Sequence, residues 1–268
     1  MAETSRLKVE TDKHIAWLIL NRPEKRNAMG LAFFEEIGTW FDDLDRNPAI
    51  HAVIIKAEGQ SFSAGTDLKE AATLLGQGSA DGRDRMQKKI GELQQSFTKI
   101  EACRKPVIAA VHGHCIGAGV DLISACDMRL ATKDAIFSIR ETRMGIIADA
   151  GTLQRLPYII GQGWLRELAL TGRDFTAHEA LQMGLVTRIC DDRPALYEAA
   201  KNLADQIAAC PPLTVQGTKE VINYSRDNGI HAGLQYVATK NSAALPSEDL
   251  FEAVKAFMEK RAPAFKGK

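Results

Sequence analysis

Two strand-like segments, each running directly into a glycine-bearing turn and then a helix, constrain the fold of this chain most. Residues 52–55 are apolar and mostly β-branched, and a glycine-bearing loop at 58–65 follows them. Residues 106–111 form a second apolar run, which leads into a glycine-rich turn at 113–119. Continuous apolar runs of this length are typical of strands buried on both faces of a sheet. The repeated order of strand, turn and helix therefore predicts an α/β fold.

Other patterns extend this organisation along the chain. Further strands are predicted at 16–20, 129–132 and 135–139. Apolar residues recur at three and four positions from Leu31 to Leu44, which predicts a helix, and a second helix is predicted from Arg83 to about Cys103.

The second half of the chain has a different pattern. The polar, glycine-rich stretch from Gly76 to Gly82 predicts a mobile loop in the first half, whereas after Gly151 the pattern is helical nearly to the end. Pro211-Pro212 marks the start of one late helix. The sequence thus predicts an α/β N-terminal part and an α-helical C-terminal part.

The charge balance excludes some classes of function. The chain has 34 basic and 34 acidic side chains, so its formal net charge is zero. A protein that binds nucleic acid by neutralising phosphates usually has a basic excess, so no nucleic-acid partner is predicted. No unbroken apolar run approaches the roughly 20 residues of a membrane span, so no membrane association is predicted either.

The cysteines and histidines bear on location and on metal binding. Five scattered cysteines form no C-x-x-C pair, which argues against a disulfide framework or a zinc site. Because no targeting segment is recognisable either, the sequence predicts a cytoplasmic location. His112 and His114 are spaced to share one strand face, but no third ligand is evident, so structural roles and no metal are predicted.

The turn after the first buried strand is the first candidate for chemistry. It runs from Ser61 to Leu68, and its small residues let a ligand approach the backbone closely. A helix that starts near Thr66 would present N–H groups without intrahelical partners, and such groups hold an anion or a developing oxyanion. The alternative is a plain turn in which Asp67 favours the helix N-terminus.

The second turn, from Gly113 to Asp121, has the same form. It is only superficially similar to a dinucleotide fingerprint, because Leu122 stands where the third glycine belongs. A helix start here would add a second set of free N–H groups and make a two-donor site with the first turn. The alternative is close packing of a helix on a strand.

Three carboxylates, Asp121, Glu141 and Asp149, lie among apolar neighbours. An acid in such surroundings is costly to ionise unless it is paired, so its pKa rises towards the range useful for acid–base catalysis. For Glu141 the alternative is an ion pair with Arg140 or Arg143. For Asp149 the alternative is the N-cap of the next helix.

Taken together, these segments resemble the crotonase family, or enoyl-CoA hydratase/isomerase superfamily, over nearly the whole chain. The segments that match in order are residues 20–29, 62–68, 105–111, the glycine-rich stretch around Asp121, 126–129, 170–173 and 257–261. The resemblance implies a spiral of ββα turns in residues 1–200, which would carry the active site. It also implies a C-terminal α-helical oligomerisation region in residues 201–268, and a homotrimer or a dimer of trimers.

Within the family, the acidic residues look like those of the Δ3,5-Δ2,4-dienoyl-CoA isomerases. Hydratases usually have two glutamates and a glycine at the three positions, whereas this chain has Asp121, Glu141 and Asp149. The resemblance implies isomerisation of 3,5-dienoyl-CoA to 2,4-dienoyl-CoA in fatty-acid β-oxidation. Glu141 would remove a proton at C2, Asp149 would deliver one at C6, and Asp121 would keep one carboxyl protonated.

Two other functions remain open within the same resemblance. An enoyl-CoA hydratase, or a Δ3-Δ2-enoyl-CoA isomerase, would use Glu141 with Asp121. A non-catalytic scaffold of the same fold that binds RNA or protein is a more remote alternative, against which the neutral charge and the complete set of acids count.

The resemblance also implies which groups hold an acyl-CoA thioester. The backbone N–H groups of Thr66 and Ala118 match an oxyanion hole, although the family generally has glycine in place of Ala118. The implied substrate-binding positions are Arg26, Ala64, Gly65, Asp67, Leu68 and Gly119. No metal and no cofactor are implied, because CoA is part of the substrate.

Overall fold

The computed structural model describes residues 6–74 and 79–268. The strands of the described residues are β1 (Leu7–Asp12), β2 (Ile15–Leu20), β3 (Ala52–Ala57), β4 (Val107–Val111), β5 (His114–Ile116), β6 (Met128–Thr132), β7 (Ile136–Ser138), β8 (Asp174–Thr176) and β9 (Arg188–Cys190). One sheet has the order β1-β2-β3-β4-β6-β9, and a smaller sheet has the order β5-β7-β8. In the larger sheet β1 pairs antiparallel with β2, and the other neighbouring strands are parallel.

Helices account for most of the remaining chain. Their bounds are α1 (Leu31–Arg46), α2 (Leu68–Leu74), α3 (Ala80–Ala102), α4 (Ala118–Ser124), α5 (Thr152–Arg155), α6 (Pro157–Thr171), α7 (Ala177–Gln182), α8 (Arg193–Ala208), α9 (Pro212–Ala244) and α10 (Glu248–Glu259). Short 3₁₀ turns lie at Pro23–Lys25 and Glu141–Met144. Gly229 takes a positive φ of 83° and kinks α9.

The central strands are buried on both faces, as their apolar runs predict. Val53 and Ile55 of β3 belong to the main core, which includes Phe34 of α1 and Phe97 of α3. Ile54 faces the other side, where a second core contains three residues of α8, namely Leu196, Ala200 and Ala204. Helices on both sides of a parallel sheet explain why these strands lack polar alternation.

The chain passes repeatedly from the large sheet to the small sheet and then into a helix. β4 is followed by β5 and then by α4, and β6 is followed by β7 and the 3₁₀ turn at Glu141–Met144. After β3, Ser63 forms a bridge with Cys115 of β5 before α2 begins. Each such ββα turn therefore places its loop and helix start beside those of the next turn.

The predicted strands and the two early helices are confirmed, but four strands were not predicted. β1 alternates buried with exposed and charged residues because it forms the edge of the sheet. The other three, β5, β8 and β9, have three residues each, which is too short to show a period. The prediction of helix nearly to the end after Gly151 is therefore wrong at β8 and β9.

The predicted loop from Gly76 to Gly82 is only partly described. Residues 76–78 lie outside the described residues. The rest is not a loop, because Ser79 caps α3 by accepting the Gly82 N–H at 3.1 Å, and α3 begins at Ala80.

The C-terminal helices expose much apolar surface. Helix α8 runs across the boundary after residue 200 and packs on the sheet, whereas α9 and α10 expose Ile230, Phe251, Phe257 and Met258. The division at residue 200 and the oligomerisation role of residues 201–268 stay predictions. Among the described residues, no helix combines the length and apolarity needed to cross a membrane.

Candidate active site

A cavity of about 300 Å³ lies where the two glycine-bearing turns meet. Its polar lining residues are Thr66, Asp67, Glu70, Asp121, Glu141 and Asp149. Its apolar lining includes Met29, Leu31, Phe34, Met86, Ile90, Leu93 and Ile146. A larger groove of about 730 Å³ lies between α8 and α9, but it does not contain the three predicted carboxylates. Convergent acids in an apolar pocket favour the smaller cavity as the active site.

Backbone pairing brings the two turns together. The Ser63 N–H donates to the His114 carbonyl at 2.9 Å, and the Ile116 N–H donates to the Ser63 carbonyl at 3.0 Å. Gly65 follows with a φ of +90°, and a Cβ at this position would lie 2.7 Å from the Ile116 oxygen. Glycine is therefore required at residue 65, and the close approach puts Thr66 beside Ala118.

Two backbone N–H groups at this junction are free. In the part of the chain that the structure describes, the N–H groups of Thr66 and Ala118 donate to no other protein group. Ala118 is the first residue of α4, and Gly117 before it carries the positive φ of 53°. Ala118 has no positive φ, so the methyl group in place of hydrogen introduces no backbone strain. Thr66 lies two residues before α2, which begins at Leu68, so its free N–H belongs to the turn that leads into the helix.

Asp121 lies one turn into α4 and is 3% exposed. Its Oδ1 accepts the Thr152 N–H at 2.7 Å. Burial raises the pKa of Asp121 to about 6; the hydrogen bond from Thr152 opposes this rise, and the charge of Asp149 adds to it. A carboxyl in this state exchanges a proton near neutral pH.

Glu141 begins the 3₁₀ turn after β7, and its Oε2 is buried without a hydrogen-bond partner among the described residues. Burial first, and then the charge of Asp121, raise the pKa of Glu141 to about 7. The alternative of an ion pair is wrong. Arg140 pairs with Asp174, and Arg143 donates to a backbone carbonyl, that of Thr171.

Asp149 lies in the segment between the 3₁₀ turn and α5, and it is partly exposed. Burial raises the pKa of its carboxyl. The alternative of an N-cap is wrong, because Gly151 is the N-cap of α5 and makes no side-chain cap. The Asp149 carbonyl accepts a hydrogen bond from Gln94 of α3 at 2.8 Å.

Asp67 favours the N-terminus of the following helix, which is the alternative that the sequence left open for this turn. Its Oδ1 accepts the Lys69 N–H at 3.2 Å and the Glu70 N–H at 3.4 Å, so it caps α2. Its Oδ2 lies 3.8 Å from Arg22 and 3.7 Å from Lys25. Asp67 therefore stabilises the first turn while it lines the cavity.

The other predicted binding residues, Arg26, Ala64, Gly65, Leu68 and Gly119, do not line the cavity. Arg26 is exposed, and its carbonyl accepts the Ala64 N–H at 2.9 Å. Leu68 is exposed. A Cβ on Gly119 would lie 3.1 Å from the Ser63 Cβ, so the predicted alternative of close packing applies at Gly119.

Several lining residues were not predicted from the sequence. Met86, Ile90 and Leu93 of α3 are spaced by four and three residues, so the helical period could have placed them on one face. Glu70 accepts the Leu31 N–H at 3.1 Å and thereby stabilises the start of α1. No local pattern indicates that contact, because 39 residues separate the two groups.

The two histidines do not share a strand. His112 follows β4 and lies 3.1 Å from the Gly59 carbonyl through Nε2, whereas exposed His114 begins β5. Within the described ranges, no group of three His, Cys, Asp or Glu residues is arranged to hold a metal ion.

The Enoyl-CoA hydratase/isomerase family profile matches residues 10–268, so the chain belongs to this family. A protein of Arabidopsis thaliana named Delta(3,5)-Delta(2,4)-dienoyl-CoA isomerase, peroxisomal, is 45% identical over 97% of this chain and 95% of its own length. A mitochondrial protein of the same name from Mus musculus is 46% identical, over 93% of this chain and 78% of its own length.

The solved structures agree on the fold. The crystal structure of an enoyl-CoA hydratase from Bacillus anthracis matches with a TM-score of 0.91 and 33% identity, covering 98% of this chain and 100% of that chain. The predicted fold, the predicted family and the predicted likeness to dienoyl-CoA isomerases are therefore confirmed.

The predicted cytoplasmic location is contradicted by the relatives. Relatives at 43–46% identity are named peroxisomal or mitochondrial. The cysteine pattern argues only against a disulfide-forming compartment. That argument does not select the cytoplasm over the interior of an organelle.

Proposed function

We propose that this protein isomerises 3,5-dienoyl-CoA to 2,4-dienoyl-CoA in fatty-acid β-oxidation. The observation that carries the proposal is the third carboxyl, Asp149, which lines the same cavity as Asp121 and Glu141. The relatives named dienoyl-CoA isomerases support the same reaction.

The reaction moves one proton and needs two acid–base positions. The C2–H bond breaks, and its electron pair is delocalised over the dienolate from the thioester oxygen to C6. A new C–H bond then forms at C6. Glu141 takes the C2 proton and Asp149 supplies the C6 proton, because one short carboxyl does not reach both carbons. No oxidant or reductant enters this balance.

The protonation of the three carboxyls suits this exchange. With the pKa of Asp121 at about 6 and that of Glu141 at about 7, the site holds and releases protons near neutrality. Carboxyls this strongly coupled titrate as a group. Asp121 keeps one carboxyl of the group protonated while another is ionised.

The free N–H groups of Thr66 and Ala118 would bind the thioester oxygen. Negative charge reaches this oxygen in the dienolate, and removing one such donor elsewhere costs about 3–4 kcal/mol of barrier. The pairing of β5 with Ser63 supports this role, because it fixes both donors in one rigid junction.

An enoyl-CoA hydratase, or a Δ3-Δ2-enoyl-CoA isomerase, is the second candidate. The observation that favours it is that Asp121 and Glu141 line the same cavity, where these two carboxyls would serve chemistry at C2 and C3 without Asp149. The Bacillus anthracis structure with the same fold is also titled an enoyl-CoA hydratase.

The variant Asp149→Asn separates these candidates. It is assayed with a 3,5-dienoyl-CoA and with crotonyl-CoA, and exposed Asp191→Asn is the matched control. We expect loss of dienoyl-CoA isomerisation by about 10²–10⁴-fold with native folding, and no effect in the control. Full dienoyl-CoA isomerisation by Asp149→Asn would refute the role of Asp149, and rapid hydration of crotonyl-CoA by the native protein would favour the second candidate.

We propose further that residues 201–268 assemble the chain into a trimer or a dimer of trimers. Phe257 is 85% exposed and Met258 is 76% exposed in the single chain, and apolar surface of this kind marks an interface. Light scattering of the purified protein tests the assembly. A monomer at micromolar concentration would exclude it, and Phe257→Glu should weaken a trimer.

A further inference from the structure

We propose that Arg155 is a positioning residue that holds the segment from Asp149 to Thr152 against Asp121, and that Glu101 and Arg226 hold Arg155 in turn. The proposal rests on the proposed function for its kinetic readout only. Arg155 has no part in the chemistry described above, and it does not line the cavity.

The segment from Asp149 to Thr152 controls two of the three carboxyls. Asp149 itself carries one of them, and the Thr152 N–H donates to the other, Asp121, at 2.7 Å. A shift of this segment would move the Asp149 side chain and lengthen the hydrogen bond to Asp121 together. In an active site, a misplacement of about 1 Å reduces the rate by about 10²-fold.

The guanidinium of Arg155 lies directly against the middle of this segment. Its Nη1 lies 3.3 Å from the Ala150 carbonyl, to which it donates. A Cβ built on Gly151 would lie 1.7 Å from the same Nη1, so the guanidinium fills the space that a side chain would need. Any other residue at position 151 would displace Arg155, the segment, or both.

The opposite side of the guanidinium is fixed by α3. Arg155 Nε donates to Glu101 Oε2 at 3.0 Å, and Nη2 donates to Thr98 Oγ1 at 3.2 Å. The side chains of Arg155 and Glu101 are 11% and 18% exposed. All three nitrogens of the planar guanidinium therefore donate hydrogen bonds, which holds the Arg155 side chain in one orientation. A lysine has a single ammonium group and would not reproduce these three contacts.

Glu101 also pairs with a residue of the C-terminal helices. Its Oε1 accepts a hydrogen bond from Arg226 of α9. Asn223, one turn earlier in α9, lies 3.4 Å from the Glu101 carbonyl and donates to it. Removing one member of this largely buried ion-paired group leaves a partly uncompensated charge on the remaining members, which is unfavourable. Helix α9 is thereby linked to the segment that carries Asp149, without touching the cavity.

The charge of Arg155 supports the same inference. Burial raises the pKa of Asp121, the hydrogen bonds from Thr152 oppose that rise, and the positive charge of Arg155 opposes it further. The neighbouring acidic groups that also interact with Asp121 are Asp149, Glu141 and Cys115. Loss of this charge should raise the Asp121 pKa. The pH–rate limb that reports the coupled carboxyls would then move to higher pH.

The test compares Arg155→Met, Arg155→Lys and Arg226→Met in the full-length protein. The matched control is Arg104→Met, because Arg104 lies two residues after the end of α3 but pairs with Asp45 instead. Hydrogen exchange of the peptide from residue 146 to 156 is measured first, since it contains the Thr152 amide. Steady-state kcat and KM for a 3,5-dienoyl-CoA are then measured across pH.

We expect exchange of this peptide to become at least about tenfold faster in Arg155→Met, and less so in Arg226→Met. kcat should fall by about 10²-fold in Arg155→Met while KM changes little. Arg155→Lys, which keeps the charge, should restore the position of the pH–rate limb but not kcat. The control should show native exchange and kinetics.

Native exchange at residues 146–156 in both Arg155→Met and Arg226→Met would overturn the proposal. So would an equal loss of kcat in the control. If the native protein isomerises no dienoyl-CoA, the proposed function fails, and the exchange measurement still decides the role of Arg155. If Arg155→Met does not fold, Arg226→Met and Arg155→Lys carry the same comparison.

Discussion

Replacing Glu141 by glutamine should abolish activity and at the same time stabilise the protein at alkaline pH. Glutamine keeps the shape of the side chain but cannot ionise. In the folded protein, burial and the neighbouring Asp121 disfavour the ionised glutamate and raise its pKa from 4.5 to about 7. The carboxyl proposed to act as the catalytic base therefore destabilises the folded protein once it loses its proton.

The magnitude follows from the pKa. Because the pKa of Glu141 is higher in the folded than in the unfolded protein, its contribution to stability is largest below pH 4.5, where the carboxyl is protonated in both states. This contribution is lost as the pH rises from 4.5 through 7, relative to a side chain that cannot ionise. A pKa change from 4.5 to about 7 corresponds to about 3 kcal/mol. Glu141→Gln should therefore be about as stable as the native protein near pH 4. It should be more stable by at most about 3 kcal/mol above pH 7.

The assay is urea unfolding from pH 4 to pH 8.5 at one protein concentration, because an oligomer's stability depends on concentration. Exposed Glu198→Gln in α8 is the matched control. It should change the free energy of unfolding by less than about 0.5 kcal/mol at every pH. Isomerase turnover of Glu141→Gln should fall by about 10²–10⁴-fold.

Two results would refute this reasoning. One is an absence of any stability gain at pH 8. The other is a gain that is equally large at pH 4, since the argument requires ionisation of Glu141. Retained turnover would refute the catalytic role alone and leave the electrostatic argument standing.

Three further predictions concern other parts of the molecule. Gly65→Ala should destabilise the fold by about 1–3 kcal/mol and reduce kcat, because φ is +90° and the new Cβ would lie 2.7 Å from the Ile116 oxygen; urea unfolding and turnover check it. Lys219→Met should cost about 1–3 kcal/mol in the same unfolding assay, because it leaves the partly buried Asp127 carboxylate without its ammonium partner at 2.7 Å. Arg26 is exposed, its carbonyl accepts the Ala64 N–H beside the Thr66 turn, and we propose that its side chain helps to bind the CoA portion of the substrate. Arg26→Gln should therefore raise KM for the CoA ester and leave kcat unchanged in steady-state kinetics.

The sequence predicted the central strands and the three carboxyls because most of them have a local cause. β3 and β4 are continuous apolar runs since helices cover both faces of the sheet. Asp121 stands out because its neighbours in the chain are buried and apolar, whereas Glu141 lies between Arg140 and Thr142 and is indicated mainly by the family resemblance. Edge strand β1 lacks this signature, because one face of it meets solvent.

What the sequence left open depends on contacts between distant residues. Whether Glu141 pairs with an arginine could not be decided locally, because the partner of Arg140 is Asp174, 34 positions away. The link from Arg155 to Glu101 spans 54 positions, and that from Arg226 to Glu101 spans 125. Such ion pairs follow from the fold and leave no period or spacing in the sequence.

The arrangement around Asp121 also determines which substitution at residue 149 is informative. Asp149 has two roles: its side chain supplies a carboxyl to the cavity, and its backbone carbonyl accepts a hydrogen bond from Gln94. Glycine at residue 149 would remove the carboxyl and also loosen the backbone up to Thr152, whose N–H bonds Asp121. Two carboxyls would then change together. Asparagine removes only the proton-donating group, so a loss of dienoyl-CoA isomerisation in Asp149→Asn is attributable to Asp149 itself, whereas the same loss in Asp149→Gly is not.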